Sequence, residues 1–224
     1  PKDAYRLQLF PWLIEQQEKY QTDALFLLGD LCQEKDRHES GLVNQIVHGL
    51  TLLKPPVYIL KGNHDYIDAD MPFFKFVNHI EGIYFVSKVT YCYWFGQLYL
   101  VPHQSNQSDL NEACSGIQPE SCIFLHNTFD GAIAETGACM GGLTPPPSLY
   151  KARWCVSGDI HRPQQVGPIT YVGSPYQVRF GDDFYPRVLL IDNDQFTNLY
   201  FPAPRKWSLT VRDHEEILNH KDLK

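Results

Sequence analysis

The sequence predicts an α/β fold, and three observations carry that class. Short apolar runs recur along the chain and stop at glycine or a polar residue, the pattern of strands buried on both faces. Amphipathic segments alternate with the first two runs, so that residues 1–65 read α-β-α-β. Beyond them the strands become closely spaced. The expectation is two stacked mixed β-sheets flanked by helices, a four-layer αββα sandwich.

The elements follow in order. In "AYRLQLFPWLIEQQEKY" the stripe Leu7, Phe10, Ile14 recurs at three- and four-residue spacing and predicts a helix with a start or kink at Pro11. "DALFLLGD" is a continuous apolar run stopped by Gly29, hence a buried strand. "ESGLVNQIVHGLTLL" predicts the next helix and "PVYILKGNHD" the next strand, with a short helix near "MPFFKFVNHI". Strands are then expected in "IYFVS", "TYCYWF", "QLYLVPH", "SCIFLH", "RWCVSGD", "ITYVGS" and "RVLLID", with Gly96 in a turn. The polar stretches 104–120 and 131–150 read as loops, the second because of "GGLTPPP".

At 224 residues and 43% hydrophobic content the chain suits one sizeable domain. The formal charge of −7 supplies no bulk attraction for nucleic acid, although a local basic groove or bound cations attract phosphate. Six scattered cysteines include no C-x-x-C pair, which argues against a zinc ribbon or a redox motif and for buried free thiols. No apolar run reaches the roughly 20 residues needed to span a bilayer, and no signal peptide opens the chain. A cytoplasmic protein without a membrane partner is expected.

Four apolar runs end in groups that bind metals or move protons: Asp30 after "FLLG", Asn63, His64 and Asp65 in "GNHD", His126 after "IFL", and Asp159 and His161 in "GDIH". Ligands of open α/β sheets bind beyond the carboxyl ends of the strands, where such groups converge. Carboxylate, imidazole and amide oxygen complete the shells of borderline divalent metals, and a pair of such ions clamps a phosphate and activates water. Each piece alone has a plainer reading, as a turn, a helix cap or a core histidine. Their common position after four strands favours a metal site.

The order GD, GNHD, strand-terminal His and G-x-x-H resembles the calcineurin-like metallophosphoesterase superfamily. The stretch "GDIHRPQQVGPITYVGSPYQVRFGD" is similar to the closing segment of SbcD-type nucleases of double-strand-break repair. The resemblance covers Leu25 to Asp192. It implies two divalent cations, manganese first, with magnesium, iron or zinc as alternatives. Asp30 would bridge them, Asn63, His126 and Asp159 would hold the second, and His161 the first. His64 would protonate the leaving oxygen, with Asp65 orienting it. Two departures stand out: the family has His where Asp159 stands, and its D-x-H motif, two further ligands, is expected just upstream of Pro1.

The metallophosphoesterase domain is expected over residues 1–202, with 203–224 a tail or the start of a linker. Lys61 and Arg162 are candidate substrate contacts, and Arg179, Tyr66, Phe129, Tyr176 and Phe180 are further groups able to touch phosphates or bases. The leading functional reading is a DNA-cutting phosphodiesterase, with an SbcC-like ATPase as a partner. The alternatives are a phosphoesterase for small molecules or phosphoproteins, and a catalytically impaired binding subunit.

Overall fold

The computed structural model describes residues 4–35, 37–93, 96–180 and 182–206, and the chain is mixed α/β. A 3-10 turn at Ala4–Gln8 leads into α1, Leu9–Tyr20. Pro11 therefore sits in the first turn of α1, where a missing N–H costs no hydrogen bond, and it does not kink the helix interior. The side of α1 buried most deeply carries Leu13 and Gln17, and the Gln17 amide grips the backbone of Lys54 through bonds of 2.8 and 2.9 Å. β1 (Leu25–Leu27), α2 (Ser40–Leu52), β2 (Val57–Leu60), a 3-10 helix (Phe73–His79) and β3 (Ile83–Val86) follow.

β1, β2 and β3 form an all-parallel sheet with β1 at one edge. The second sheet has the order β4-β5-β6-β7-β9-β8, with β4 Thr90–Cys92, β5 Leu98–Val101, β6 Cys122–Leu125, β7 Trp154–Ser157, β8 Gln164–Val166 and β9 Ile169–Tyr171. Its centre, β5-β6-β7-β9, is parallel, and both outer strands run antiparallel to their neighbours. β10 (Val188–Asp192) and β11 (Gln195–Leu199) pair as a separate antiparallel ribbon.

Three apolar clusters hold these parts together. Tyr58, Leu60 and Val86 of the first sheet pack with Leu98, Phe124 and Val156 of the second. A second cluster joins the first sheet to α1 and α2 through Leu13, Ile46, Leu50 and Ile59. The third lies on the second sheet and includes Leu110, Ile123, Phe129 and Tyr171.

The stretch 104–120, read from sequence as loop, contains α3, Gln107–Cys114, whose N-cap Asn106 accepts from the Asp109 N–H at 3.0 Å. Two turns with Leu110 and Cys114 as their buried residues show too little periodicity to stand out from a polar background. β8 and β11 also went unread, because "QQV" and "QFTNL" are polar on at least one side. Four of the six free cysteines, Cys92, Cys114, Cys122 and Cys155, are buried, and burial pushes the Cys114 and Cys155 thiols up to about 12. Among the described residues no helix is long and apolar enough to cross a membrane. The expected tail, from residue 207 on, lies outside the described residues.

Candidate metal centre

The chain leaves β1, β2, β6 and β7 at the same end of the two sheets, and each exit carries a polar group. Asp65 ties the first two exits together. It is 1% exposed, its Oδ2 accepts from the N–H groups of Asp30 (2.9 Å) and Gly62 (2.7 Å), and its Oδ1 accepts from Leu31 N–H at 3.3 Å. Burial raises its pKa, against the hydrogen bond from Gly62. The carboxylate expected to orient His64 is therefore turned to backbone, where it fixes the two loops that present Asp30 and Asn63. The Nδ1 of His64 instead lies 2.7 Å from the Gln33 carbonyl, while its own backbone N–H donates to Asp30 Oδ1 at 2.9 Å.

Two glycines make the close approach possible. Gly29 has φ +95°, and a Cβ there would stand 2.4 Å from His126 Nδ1. A Cβ on Gly62 would fall 2.2 Å from Asp30 Oδ1.

His126 is fully buried at the end of β6. Its Nδ1 donates to the Leu28 carbonyl, so Nε2 is the ring atom that faces the site. Around Nε2 lie Asn63 Oδ1 at 3.2 Å, Asp30 Oδ2 at 3.4 Å and Asp159 Oδ1 at 3.8 Å. Donor atoms of Asp30, His126 and Asp159 all fall within 4.8 Å of one another. Ligands about 2.0–2.2 Å from a shared ion stand roughly 3–3.6 Å apart, so Asn63 and Asp30 are at shell spacing from Nε2 and Asp159 lies slightly beyond it. Asn63 lies beside them, and with its amide nitrogen turned toward the site it donates to Asp30 Oδ2 at 3.0 Å and to His126 Nε2 at 3.2 Å.

The electrostatics are those of a cation site. Burial opposes charge on His126, yet Asp30 and Asp159 outweigh it and hold its pKa up at about 9. Burial likewise opposes the Asp30 charge, but the hydrogen bond and charge of His126 and the N–H of His64 bring its pKa below the usual carboxylate value. Asp159, at φ 73°, takes a 2.5 Å hydrogen bond from Thr128 Oγ1 on its second oxygen, which leaves Oδ1 toward His126.

His161 is not brought into this group. Its Nδ1 faces Glu135 Oε1 at 3.5 Å, and the same carboxylate oxygen lies 3.9 Å from the Arg179 guanidinium. Both His161 and Asp159 line the same groove. Lys61 is 7% exposed with its ammonium 4.5 Å from the centre of the Tyr66 ring, part of the wall and not a free substrate contact. Arg162 is half-buried, next to His161 in the chain.

His103 was missed. It follows β5, donates its backbone N–H to the Lys61 carbonyl at 2.9 Å, and places Nδ1 2.9 Å from the Tyr66 hydroxyl. Its ring centre is 6.2 Å from that of His126, and burial pushes its pKa down to about 4, with the charge of His126 adding to the shift. The signal was the one that singled out His126, an apolar run closing on histidine, present in "QLYLVPH". Glu135 was missed as well, and its polar loop gave no local sign.

The sequence model of the calcineurin-like phosphoesterase (Metallophos) family matches residues 3–130, a span that holds Asp30, Asn63, His64 and His126. No curated protein matches the chain.

Proposed function

The chain belongs to the calcineurin-like phosphoesterase family, and from that premise we propose that it is a metal-dependent phosphodiesterase that cuts DNA. The observation that carries the metal-dependent chemistry is the convergence of Asp30, His126 and Asp159, with Asn63 beside them, at the carboxyl ends of parallel strands. The nuclease reading draws on the likeness of residues 158–182 to SbcD-type enzymes. A bound divalent cation there supplies Lewis-acid charge to the phosphate and lowers the pKa of the attacking water.

The chain's own residues then have separate tasks. Asp30, Asn63, His126 and Asp159 hold the cation, manganese before magnesium because imidazole is in the set. Leu28 fixes the tautomer of His126, and Asp65 fixes the loops. His64 delivers a proton to the leaving oxygen from Nε2, since Nδ1 is committed to the Gln33 carbonyl.

The proposal extends to a second cation held by His161, Asp30 and a D-x-H strand lying along β1. In support, Leu25, Phe26 and Leu27 of this edge strand are all half-buried, and a groove of about 1780 Å³ runs beside them to Asp30 and Asp159. That strand would complete the αββα layers of a domain reaching residue 202. An SbcC-like ATPase in the cytoplasm is the proposed partner.

Manganese titration by calorimetry, with cleavage assays on single- and double-stranded DNA, tests the proposal. Two ions bound by the full-length protein, and DNA cleavage lost in His64→Ala, are expected. Hydrolysis of small phosphate esters without cleavage of DNA would replace the nuclease by a small-ester phosphoesterase. No ion and no hydrolysis would leave a binding subunit.

A further inference from the structure

The loop Ser174–Phe180 is pinned by buried polar bonds and armed on its outside. Gln177, 3% exposed, donates to the Asp182 carbonyl at 2.6 Å and accepts from Lys206 N–H at 2.7 Å. The Asp182 carboxylate, also buried, accepts from the N–H groups of Val178 (2.8 Å) and Arg179 (2.9 Å). Buried polar bonds of this kind hold one backbone shape. That shape pushes Arg179 and Phe180 into solvent, with 65% of the Arg179 side chain and 73% of Phe180 exposed.

Cations from distant parts of the chain gather on the same loop. Arg6 donates to the Val178 carbonyl at 3.3 Å and stands 5.2 Å from the centre of the Tyr176 ring. Lys206 donates to the same carbonyl at 2.9 Å and lies 5.6 Å from the centre of the Phe180 ring. Arg6, Arg179 and Lys206 thus stand by two aromatic rings, with Glu135 3.9 Å from Arg179, in a chain whose net charge is −7. Tyr176, Val178 and Arg179 line the groove that also holds Asp30, His126 and Asp159. Arg179 stands 3.9 Å from Glu135, the carboxylate it shares with His161, and both acid and imidazole line the same groove.

From this geometry we infer that the Tyr176–Phe180 loop is the binding platform for a single DNA strand leaving the metal site, with Arg179 on a backbone phosphate and Phe180 stacked on a base. Exposed aromatic faces interleaved with cations bind single strands with little sequence preference. The inference rests on the nuclease reading and adds to it the form of the substrate and the residues that hold it.

Fluorescence anisotropy with a labelled oligothymidylate, in metal-free buffer so that nothing is cut, tests the platform in the full-length chain. Arg179→Ala and Phe180→Ala should each weaken binding about fivefold to a hundredfold. Phe180→Tyr, which keeps a stacking face, should bind like the parent. Unchanged binding in both alanine variants, or equal loss in Phe180→Ala and Phe180→Tyr, overturns the platform. In parallel, the parent's cleavage of DNA and of bis(p-nitrophenyl) phosphate tests the nuclease reading itself. DNA cleavage by a parent whose variants bind normally leaves the nuclease standing and removes the platform; hydrolysis of the small diester alone removes both.

Discussion

Asp30, Asn63, His126 and Asp159 stand at strand ends, within hydrogen-bond or near-contact distance of one another, with buried bonds fixing the loops behind them. His161, Glu135 and Arg179 line the same groove from loops, and Arg179 is largely in solvent. The difference teaches where precision is built. A donor set that must match one ion to a few tenths of an ångström is anchored on paired strands, whose register cannot drift. A surface presented on loops tolerates looser placement.

The strongest way to break this contrast is to disturb the anchored side at its tightest point. Gly62→Ala would drive a methyl group against the Asp30 carboxylate, since the Cβ falls 2.2 Å from Oδ1. Overpacking of this kind costs about 1–3 kcal/mol. Urea denaturation should show that loss, and calorimetry should show divalent-metal affinity falling at least about tenfold, as it does when supporting contacts of a metal site are removed. Unchanged metal affinity would mean that the loops are not the rigid support described.

The pH dependence sharpens the comparison next. His126 has its pKa raised to about 9 in the metal-free fold, from an ordinary value near 6.5. The sign of the stability linkage follows: its stabilisation is complete below about pH 6.5 and is lost as pH rises through about 9. Metal must displace that proton, so affinity should fall about tenfold per unit as pH drops below 9. Calorimetry in buffers of different ionisation enthalpy should count close to one proton released at about pH 7.5 for the ion held by His126. A pH-independent affinity would place the ion elsewhere.

The smallest effect belongs to the open side. Glu135→Gln removes the charge between His161 and Arg179 and should change DNA cleavage by only a few-fold, as expected of a solvent-screened pair. Because the freed Arg179 gains attraction for phosphate, oligonucleotide binding should tighten slightly at low salt. A hundredfold loss of cleavage would show that His161 depends on Glu135 as closely as His126 depends on Leu28.

Much of the fold was legible in apolar runs and their stops. "LFLLGD" and "YILKGNHD" announced β1 and β2, and "SCIFLH" announced β6, because strands buried on both faces carry an unbroken apolar signal. α3, β8 and β11 were not legible, since short elements with a polar side differ little from loops.

The candidate site divides along the same line. Residue types and strand ends were enough to single out four exits, those with Asp30, with Asn63, His64 and Asp65, with His126, and with Asp159 and His161, because ligand chemistry and the polarity of parallel sheets are local properties. The sequence alone also determined that acidic and imidazole donors would be close in number and kind to what a divalent cation takes. Only the tertiary structure decided that Asp65 clamps backbone instead of steering His64, that His161 turns to Glu135, and that His103 joins the wall beside His126. Those outcomes depend on side-chain direction and on contacts between residues as far apart as Asp30 and His126. Spacing along the chain carries no such information, because folding packs residues in contact that lie far apart in sequence.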